Sequence, residues 1–312
     1  MEEKSLLILG AGWTATFLIP LLQSRNIPFA ATTTDGRIVA GAPTIPFKFN
    51  PTAPEEETRS AIASLPYARH VLITFPLTGP GQSKLLVECY EETHRRAVSA
   101  MSVGATSSPA ARARARFIQL GSTGIWQQPR QRQRLQPGAD GGKGPWMTRH
   151  SPYTTTDPRA VAEDELLSLG GCVLDLAGLW GGARDPRHWI GRVASTKEAL
   201  REKKSLHMVH GLDVARGVVA VVTGGDEKWE KHGRGQRWMV TDGFVYDWWA
   251  LMAGWAEGEG VSEPIDQARW VFELMNEEGV KALPRSMEAL GRCYDSREFW
   301  EAFGLVPLKG RV

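Results

Sequence analysis

Short apolar runs alternate along the first half of the chain with stretches whose apolar residues recur at helical spacing. This alternation is typical of βαβ units around a parallel sheet. The apolar runs predict buried strands at residues 5–10, 27–34, 70–76, 116–121 and 171–181. The periodic stretches predict helices at residues 15–25, 55–65, 83–103 and 158–169. The pattern therefore predicts an α/β fold of the Rossmann type, with a doubly wound parallel sheet and a smaller C-terminal substrate lobe.

Polar and turn-forming residues mark the ends of these elements. The last predicted helix has Asp157 as its N-cap and Pro158 at its first position. Residues 105–116 and 127–145 are rich in Arg, Gln, Gly and Pro, and we interpret both as exposed loops, because their arginine clusters lack the interleaved aromatic residues of a nucleic-acid surface. Residues 224–236 are interpreted as a solvated connection.

Composition excludes several classes of function. The net charge is +2 over 312 residues, which gives no general attraction to nucleic acid or to an anionic membrane. No apolar run approaches the roughly 20 residues that span a bilayer, and the first strand leaves no room for a signal peptide. Three widely spaced cysteines predict a reducing, cytoplasmic setting, and the histidines and cysteines nowhere adopt a metal-ligand spacing.

The turn after the first strand carries the strongest motif. Gly10, Gly12 and Ala15 form a G-x-G-x-x-A pattern that follows a predicted strand and opens a predicted helix. A phosphate at such a turn is held by backbone N–H groups and by the positive end of the helix, so a side chain at Gly12 would block its approach. Trp13 and Thr14 lie inside the motif, and the whole turn predicts dinucleotide binding.

The end of the second strand bears on the choice of dinucleotide. An acidic residue there binds the ribose hydroxyls of NAD, whereas a nearby arginine accommodates the phosphate of NADP. We favour Thr33 or Thr34 at this position with Arg37 just beyond, which favours NADP over NAD. The alternative is that Asp35 and Gly36 form only a turn.

Several stretches, in the same order, resemble the short-chain dehydrogenase/reductase superfamily in its extended, epimerase/dehydratase-like branch. The resemblance runs from residue 6 to about residue 250 and is loose over the last 60 residues. Its segments are "GAGWTATFL", "LITFP", "IQLGSTGIW", "PRAVAEDELL", "LDLAGLWGGARDP", "LHMVHGLDVARGVVAVV" and "WMVTDG".

The resemblance implies roles for individual residues. Thr74 and Pro76 would line the cofactor groove, and Ser122 falls where the family places its substrate-orienting serine. Asp213 is expected to be structural, as a helix cap. From the residues alone, Asp185 and Arg187 follow a strand end, where α/β sheets bind ligands; they are candidates for substrate contact or for a structural loop.

The family's catalytic Tyr-x-x-x-Lys pair is replaced. Thr155 occupies the tyrosine position and Arg159 the lysine position. A threonine cannot stand in for a phenol in proton transfer near neutral pH, so Tyr153, two residues upstream, is the alternative proton donor. Ser122, Tyr153 and Arg159 are therefore the candidate catalytic residues.

Two functions remain open. The first is an NAD(P)-dependent oxidoreductase or epimerase-like enzyme that acts on a small carbonyl or hydroxyl substrate with a non-standard proton donor. The second is a catalytically silent NAD(P)-binding sensor or regulatory protein. We expect residues 1–180 and 211–250 to form the dinucleotide-binding core, and residues 181–210 and 251–312 to form the smaller lobe. The resemblance also allows a homodimer, although the helices at 83–103 and 158–169 show no exposed apolar stripe.

Overall fold

The structure, a computed structural model, describes residues 4–101, 114–127, 145–256 and 263–310. The strands are β1 Lys4–Leu9, β2 Phe29–Thr33, β3 Ile45–Pro46, β4 Ala68–Ile73, β5 Arg116–Ser122, β6 Trp146–Met147, β7 Cys172–Leu176, β8 Gly178–Trp180, β9 Ser205–Leu206, β10 Met208–His210, β11 Arg237–Val240, β12 Tyr246–Asp247 and β13 Cys293–Tyr294. The helices are α1 Ala15–Ser24, α2 Glu55–Ala63, α3 Gln82–Met101, α4 Pro158–Ser168, α5 Ile190–Val193, α6 Lys197–Arg201, α7 Gly211–Thr223, α8 Gly225–His232, α9 Trp248–Gly254, α10 Asp266–Glu278, α11 Met287–Leu290 and α12 Arg297–Phe303.

Seven parallel strands form the central sheet in the order β11-β7-β5-β4-β1-β2-β3. The chain starts in the middle, winds outward through β2 and β3, and then crosses back over β1 to β4 and beyond. The predicted Rossmann-type fold is confirmed. Ligands bind such sheets where the direction of winding reverses, here between β1 and β4 at their carboxyl ends.

Both faces of the sheet are covered, which explains why its strands are continuous apolar runs rather than alternating ones. Leu6 and Ile8 of β1 point to the face covered by α1 and α7, whereas Leu7 and Leu9 point to the face covered by α2, α3 and α4. All four side chains are buried. This packing on both faces fixes the positions of the strands, whose carboxyl ends lie along one edge of the sheet.

A second apolar cluster lies outside the central sheet, among helices of the second half of the chain. It joins α5, α6, α9 and α10, and its buried members include Leu200, Trp249, Met252 and Leu274. Buried Asp247 caps α9 and receives three charge-assisted hydrogen bonds from Arg285, whose guanidinium lies 3.9 Å from the Trp249 ring centre. Trp248, Trp249 and Trp255, the buried tryptophans of this cluster, are therefore packing residues.

Two of the sequence interpretations are wrong, and a third concerns residues that are mostly not described. The segment 224–236, interpreted as a connection, contains helix α8, because Trp229 is buried and anchors it against the sheet. Asp213 does not cap α7: the Nδ1 of His210 does, while buried Asp213 accepts hydrogen bonds from the backbone of Leu308 and Lys309. Most of the predicted loops at 105–116 and 127–145 lies outside the described residues.

Candidate functional site: a dinucleotide turn beside a cationic cleft

The turn after β1 requires glycine at position 10 for a backbone reason. Gly10 has φ of +87°, and a Cβ there would lie 2.8 Å from the hydroxyl oxygen of Thr74. The Gly10 N–H donates to the Thr32 hydroxyl at 3.0 Å, and the Thr74 hydroxyl donates to the Gly10 carbonyl. Strands β2 and β4 therefore hold the turn from both sides, and Thr74 is part of that support.

Gly12 is glycine for a different reason. A Cβ at this position would have only the Gly10 carbonyl oxygen near it, at 4.0 Å, so the space above the turn is open. The backbone N–H of Ala11 donates to the Thr32 carbonyl at 2.6 Å, whereas within the described chain the N–H groups of Trp13 and Thr14 have no acceptor. Two free N–H groups at the start of a helix, under open space, fit the pyrophosphate of a dinucleotide.

Ala15 begins α1 and is 1% exposed, so a larger residue there would separate the helix from the sheet. Pro76 follows β4 and is exposed. The predicted turn residues thus lie together at the point where the winding of the sheet reverses.

The end of β2 holds the residues expected to contact the ribose. Thr33 is 4% exposed, and its hydroxyl lies 2.7 Å from that of Thr44. Thr34 is exposed directly after the strand. The exposed side chains of Asp35 and Arg37 form an ion pair at 2.9 Å. A ligand at this edge would therefore meet Thr34 and the Asp35–Arg37 pair, with Thr33 supporting them from beneath.

Ser122 and Arg159 line one cleft at the carboxyl edge of the sheet, with a volume of about 410 Å³. The Ser122 side-chain oxygen accepts the N–H of Gly124 at 3.1 Å, which leaves the hydroxyl proton free to be donated elsewhere. The residues that line the cleft are Gly121, Ser122, Arg159, Leu176, Ala177, Leu179, Arg184, Trp189 and Arg192. Among these described residues there is no phenol, carboxyl, imidazole or amine.

Tyr153 lines a different pocket, together with Thr155, Arg149 and Arg237. Its hydroxyl donates to the Asp164 carboxylate at 2.7 Å. Burial and this hydrogen bond raise the pKa of Tyr153 to about 12. Ser122 and Arg159 therefore line one cleft, and Tyr153 lines another.

Trp13 joins the glycine turn to the cleft. Its indole N–H donates to the Gly181 carbonyl at 3.1 Å, and the Arg184 guanidinium lies 4.4 Å from the centre of its ring. Arg184 is itself a wall of the cleft. The glycine turn and the cleft that contains Ser122 are therefore neighbours.

Sequence reasoning missed Arg184, Trp189 and Arg192. Their neighbours Asp185 and Arg187, the candidates after the strand end, lie outside the lining of the cleft, and Asp185 caps a short 3₁₀ turn by accepting the Arg187 N–H at 2.9 Å. The end of strand β8 marks this segment as a place where ligands bind in α/β sheets. Only the turn geometry decides which side chains of this segment face the cleft.

A buried charge cluster supports the floor of the cleft. The Arg237 guanidinium donates to Glu163 at 2.6 Å and to Asp175 at 2.7 Å, and all three side chains are less than 10% exposed. Burial raises the pKa of both carboxyls, and repulsion from Glu163 adds to the increase at Asp175. A Cβ at Gly121 would lie 2.6 Å from Glu163, so only glycine lets this cluster pack under Ser122.

Two absences hold for the described residues. They contain no group of three or more His, Cys, Asp or Glu side chains that could hold a metal ion. None of the described helices has the length and apolar character needed to cross a membrane.

The sheet order and the glycine turn define the class: an α/β protein with the Rossmann-type fold of NAD-binding epimerases and short-chain dehydrogenases/reductases. The resemblance inferred from the sequence segments is thereby confirmed at the level of the fold. No protein-family model and no curated protein matches the chain.

Solved structures match over nearly the whole chain. A functionally unknown conserved protein from Silicibacter pomeroyi is 18% identical, with 99% of this chain and 94% of that one covered and a TM-score of 0.57. UDP-glucose 4-epimerase from Bifidobacterium longum, in complex with NAD+ and UDP, is 13% identical, with 99% and 94% covered and a TM-score of 0.57. UDP-glucose 4-epimerase from Thermus thermophilus, in complex with NAD, is 14% identical, with 99% and 95% covered and a TM-score of 0.52. At these identities the likeness establishes the fold alone.

Proposed function

We propose that this protein is an NAD(P)-dependent oxidoreductase or epimerase-like enzyme that acts on a small carbonyl or hydroxyl substrate. The observation that carries the proposal is the contact of Trp13 with Arg184, which makes the dinucleotide turn and the Ser122 cleft neighbours. The epimerase structures from Bifidobacterium and Thermus hold NAD, which supports the same class of cofactor here.

The bound dinucleotide would supply or accept a hydride. Ser122 has a hydroxyl proton to donate, so it would orient and polarise the substrate carbonyl. The guanidinium of Arg159 can donate hydrogen bonds to a developing alkoxide, but it does not replace a phenol as a proton donor. In this proposal the final proton comes from water that reaches the exposed end of Arg159.

Cofactor binding and turnover test the proposal separately. Titration with NADH and NADPH should raise the melting temperature, because a ligand that binds only the folded state stabilises it. Reduced cofactor should then be consumed with a panel of aldehydes and ketones. Ser122→Ala should lower kcat by about 10²-fold with an unchanged Kd for the dinucleotide. Ser168→Ala, on the exposed end of α4, is the matched control.

Tyr153 is the second residue to test. Tyr153→Phe should leave kcat unchanged if Ser122 and Arg159 carry the substrate contacts. A large loss of kcat without a loss of stability would instead return Tyr153 to the catalytic position. No thermal shift with either dinucleotide at millimolar concentration would refute the whole proposal.

The second candidate is a silent NAD(P)-binding sensor or regulatory protein. It is favoured by Thr155, which stands where the family has its phenol and which lines the other pocket. This candidate predicts tight dinucleotide binding, no turnover on any carbonyl, and affinities for the oxidised and reduced cofactors that differ several-fold.

We further propose NADP as the preferred cofactor, with Arg37 as the group that meets its additional phosphate. Arg37→Ala should weaken NADPH binding about tenfold and leave NADH binding within about twofold. Asp35→Ala, which releases Arg37 from its ion pair, should strengthen NADPH binding. Arg25→Ala, an exposed arginine at the end of α1, is the control. Equal losses for both cofactors in Arg37→Ala would count against NADP.

A further inference from the structure

Three arginines converge on the cleft from three separate elements. Arg159 comes from the first turn of α4, Arg184 from the loop after β8, and Arg192 from α5. All three are exposed to solvent at the cleft rather than buried in the protein. Three separate elements therefore place positive charge around the same cleft.

Within the described chain these guanidinium groups have no carboxylate within 4.0 Å. Most other described arginines do have one, such as Arg216 with Asp213 at 2.7 Å. The lining of the cleft also contains no acidic residue. Three like charges around one space repel each other, and an anion between them would remove that repulsion.

The rest of the lining restricts the ligand further. Leu176, Leu179 and Trp189 supply an apolar wall, and Ser122 supplies a single hydroxyl group. Arginine presents planar paired donors that match the oxygens of phosphate or carboxylate groups. Stacking on Trp13 restricts the orientation of the Arg184 guanidinium at the mouth of the cleft.

We propose that this cleft binds the substrate through a multiply charged oxyanion, a phosphate ester or a polycarboxylate, held by Arg159, Arg184 and Arg192. The carbonyl or hydroxyl of that substrate then lies at Ser122, and its uncharged part lies on the leucines and Trp189. This inference rests on the proposed function, since it names the substrate class for the same site.

Anion titration by calorimetry tests it directly. Pyrophosphate and citrate are titrated at ionic strength matched with chloride, into protein saturated with whichever dinucleotide binds, so that the glycine turn is already filled. At least one anion should bind with a Kd of about 1 mM or below. Arg192→Ala should weaken that binding about tenfold or more, and Arg192→Lys should recover part of it, because the charge remains but the paired donors are lost.

The matched control is Arg187→Ala, five residues earlier on the same segment and outside the lining of the cleft. It should leave anion binding within twofold of wild type. Tighter binding of pyrophosphate would show that the cleft prefers phosphate groups, and tighter binding of citrate would show that it prefers carboxylates.

Two results would overturn the inference. One is anion binding that Arg192→Ala and Arg187→Ala change equally, or no binding above the chloride control. The other is a loss of dinucleotide affinity in Arg192→Ala equal to its loss of anion affinity, which would assign the arginines to the cofactor. If no dinucleotide binds, the proposed function fails, whereas Arg192-dependent anion binding measured without it would still stand.

Discussion

At the scale of single residues, Gly10 and Gly12 are two glycines of one turn that serve different purposes. Gly10 is required by its own backbone, since φ is +87° and a Cβ would meet Thr74. Gly12 needs no unusual conformation, and a Cβ there would enter the open space above the turn. The spacing of the motif predicted both positions, but only the geometry separates the glycine that folds the turn from the glycine that leaves room for a ligand.

Substitution by alanine should therefore affect ligand binding at Gly12 and protein stability at Gly10. Gly12→Ala should change the free energy of unfolding by less than about 0.5 kcal/mol, because the methyl group meets nothing in the protein. It should weaken dinucleotide binding about tenfold or more, because the methyl group lies where the pyrophosphate approaches. Urea unfolding and calorimetry measure the two quantities.

Gly10→Ala is the matched control. It should lower the free energy of unfolding by about 2 kcal/mol, since a left-handed alanine is strained and its Cβ is crowded. If Gly12→Ala retains full affinity for both NADH and NADPH, the turn does not hold a pyrophosphate.

At the scale of elements, the buried cluster of Arg237, Glu163 and Asp175 ties strands β11 and β7 to helix α4. Strand β7 and helix α4 were predictable from their apolar spacing, and α4 begins at Pro158 as its capping signals indicate. Strand β11 was indicated only by the family resemblance of its "WMVTDG" segment. The cluster was not predictable, because residues 163, 175 and 237 are distant in sequence and no local pattern marks charges that pair across a sheet. The same reason hid Arg184 and Arg192: their convergence is a property of the assembled fold.

Removing the Arg237 guanidinium should destabilise the folded protein. Arg237→Met leaves two buried carboxyls without their partner and should lower the free energy of unfolding by about 3–5 kcal/mol at pH 7.5. The loss should shrink as the pH falls toward 5, because protonation of Glu163 and Asp175 relieves the uncompensated charge. Chemical denaturation at both pH values measures this difference.

Arg234→Met removes an exposed arginine from its ion pair with Glu230 and serves as the control, with an expected loss below about 1 kcal/mol. A loss of similar size in the two variants would show that the cluster contributes no more than a surface pair. If the pH dependence is absent, the carboxyls are already neutral without Arg237.

At the scale of the whole molecule, buried His207 holds Tyr294 of the C-terminal region, which in turn contacts the residue after Ser122. Its Nε2 accepts the backbone N–H of Tyr294 at 3.0 Å, and its ring lies 4.2 Å from the Tyr294 ring, centre to centre. The Tyr294 hydroxyl in turn donates to the carbonyl of Thr123, the residue after Ser122. This connection needs a neutral imidazole, because a protonated Nε2 cannot accept a hydrogen bond.

Protonation of His207 should therefore destabilise the protein. Burial lowers the pKa of His207 to about 3, below the ordinary value of 6.5 in the unfolded chain. A depressed histidine pKa means that the unfolded state binds more protons between these values, so the stabilisation is complete above pH 6.5 and is lost as the pH falls toward 3. The contribution changes by at most about 1.4 kcal/mol per pH unit in that window.

A difference between variants isolates this contribution from oppositely shifted groups such as Asp242, whose pKa burial raises to about 6. His207→Gln keeps an acceptor for the Tyr294 N–H but does not titrate. Between pH 7 and pH 4, the free energy of unfolding of wild type should fall by about 3 kcal/mol more than that of His207→Gln. The exposed His188→Gln is the control for removing a histidine and should show no such change. A difference between the two free energies that stays constant with pH would mean that His207 titrates alike in the folded and unfolded chains, and that the contact between His207 and Tyr294 does not depend on a neutral imidazole.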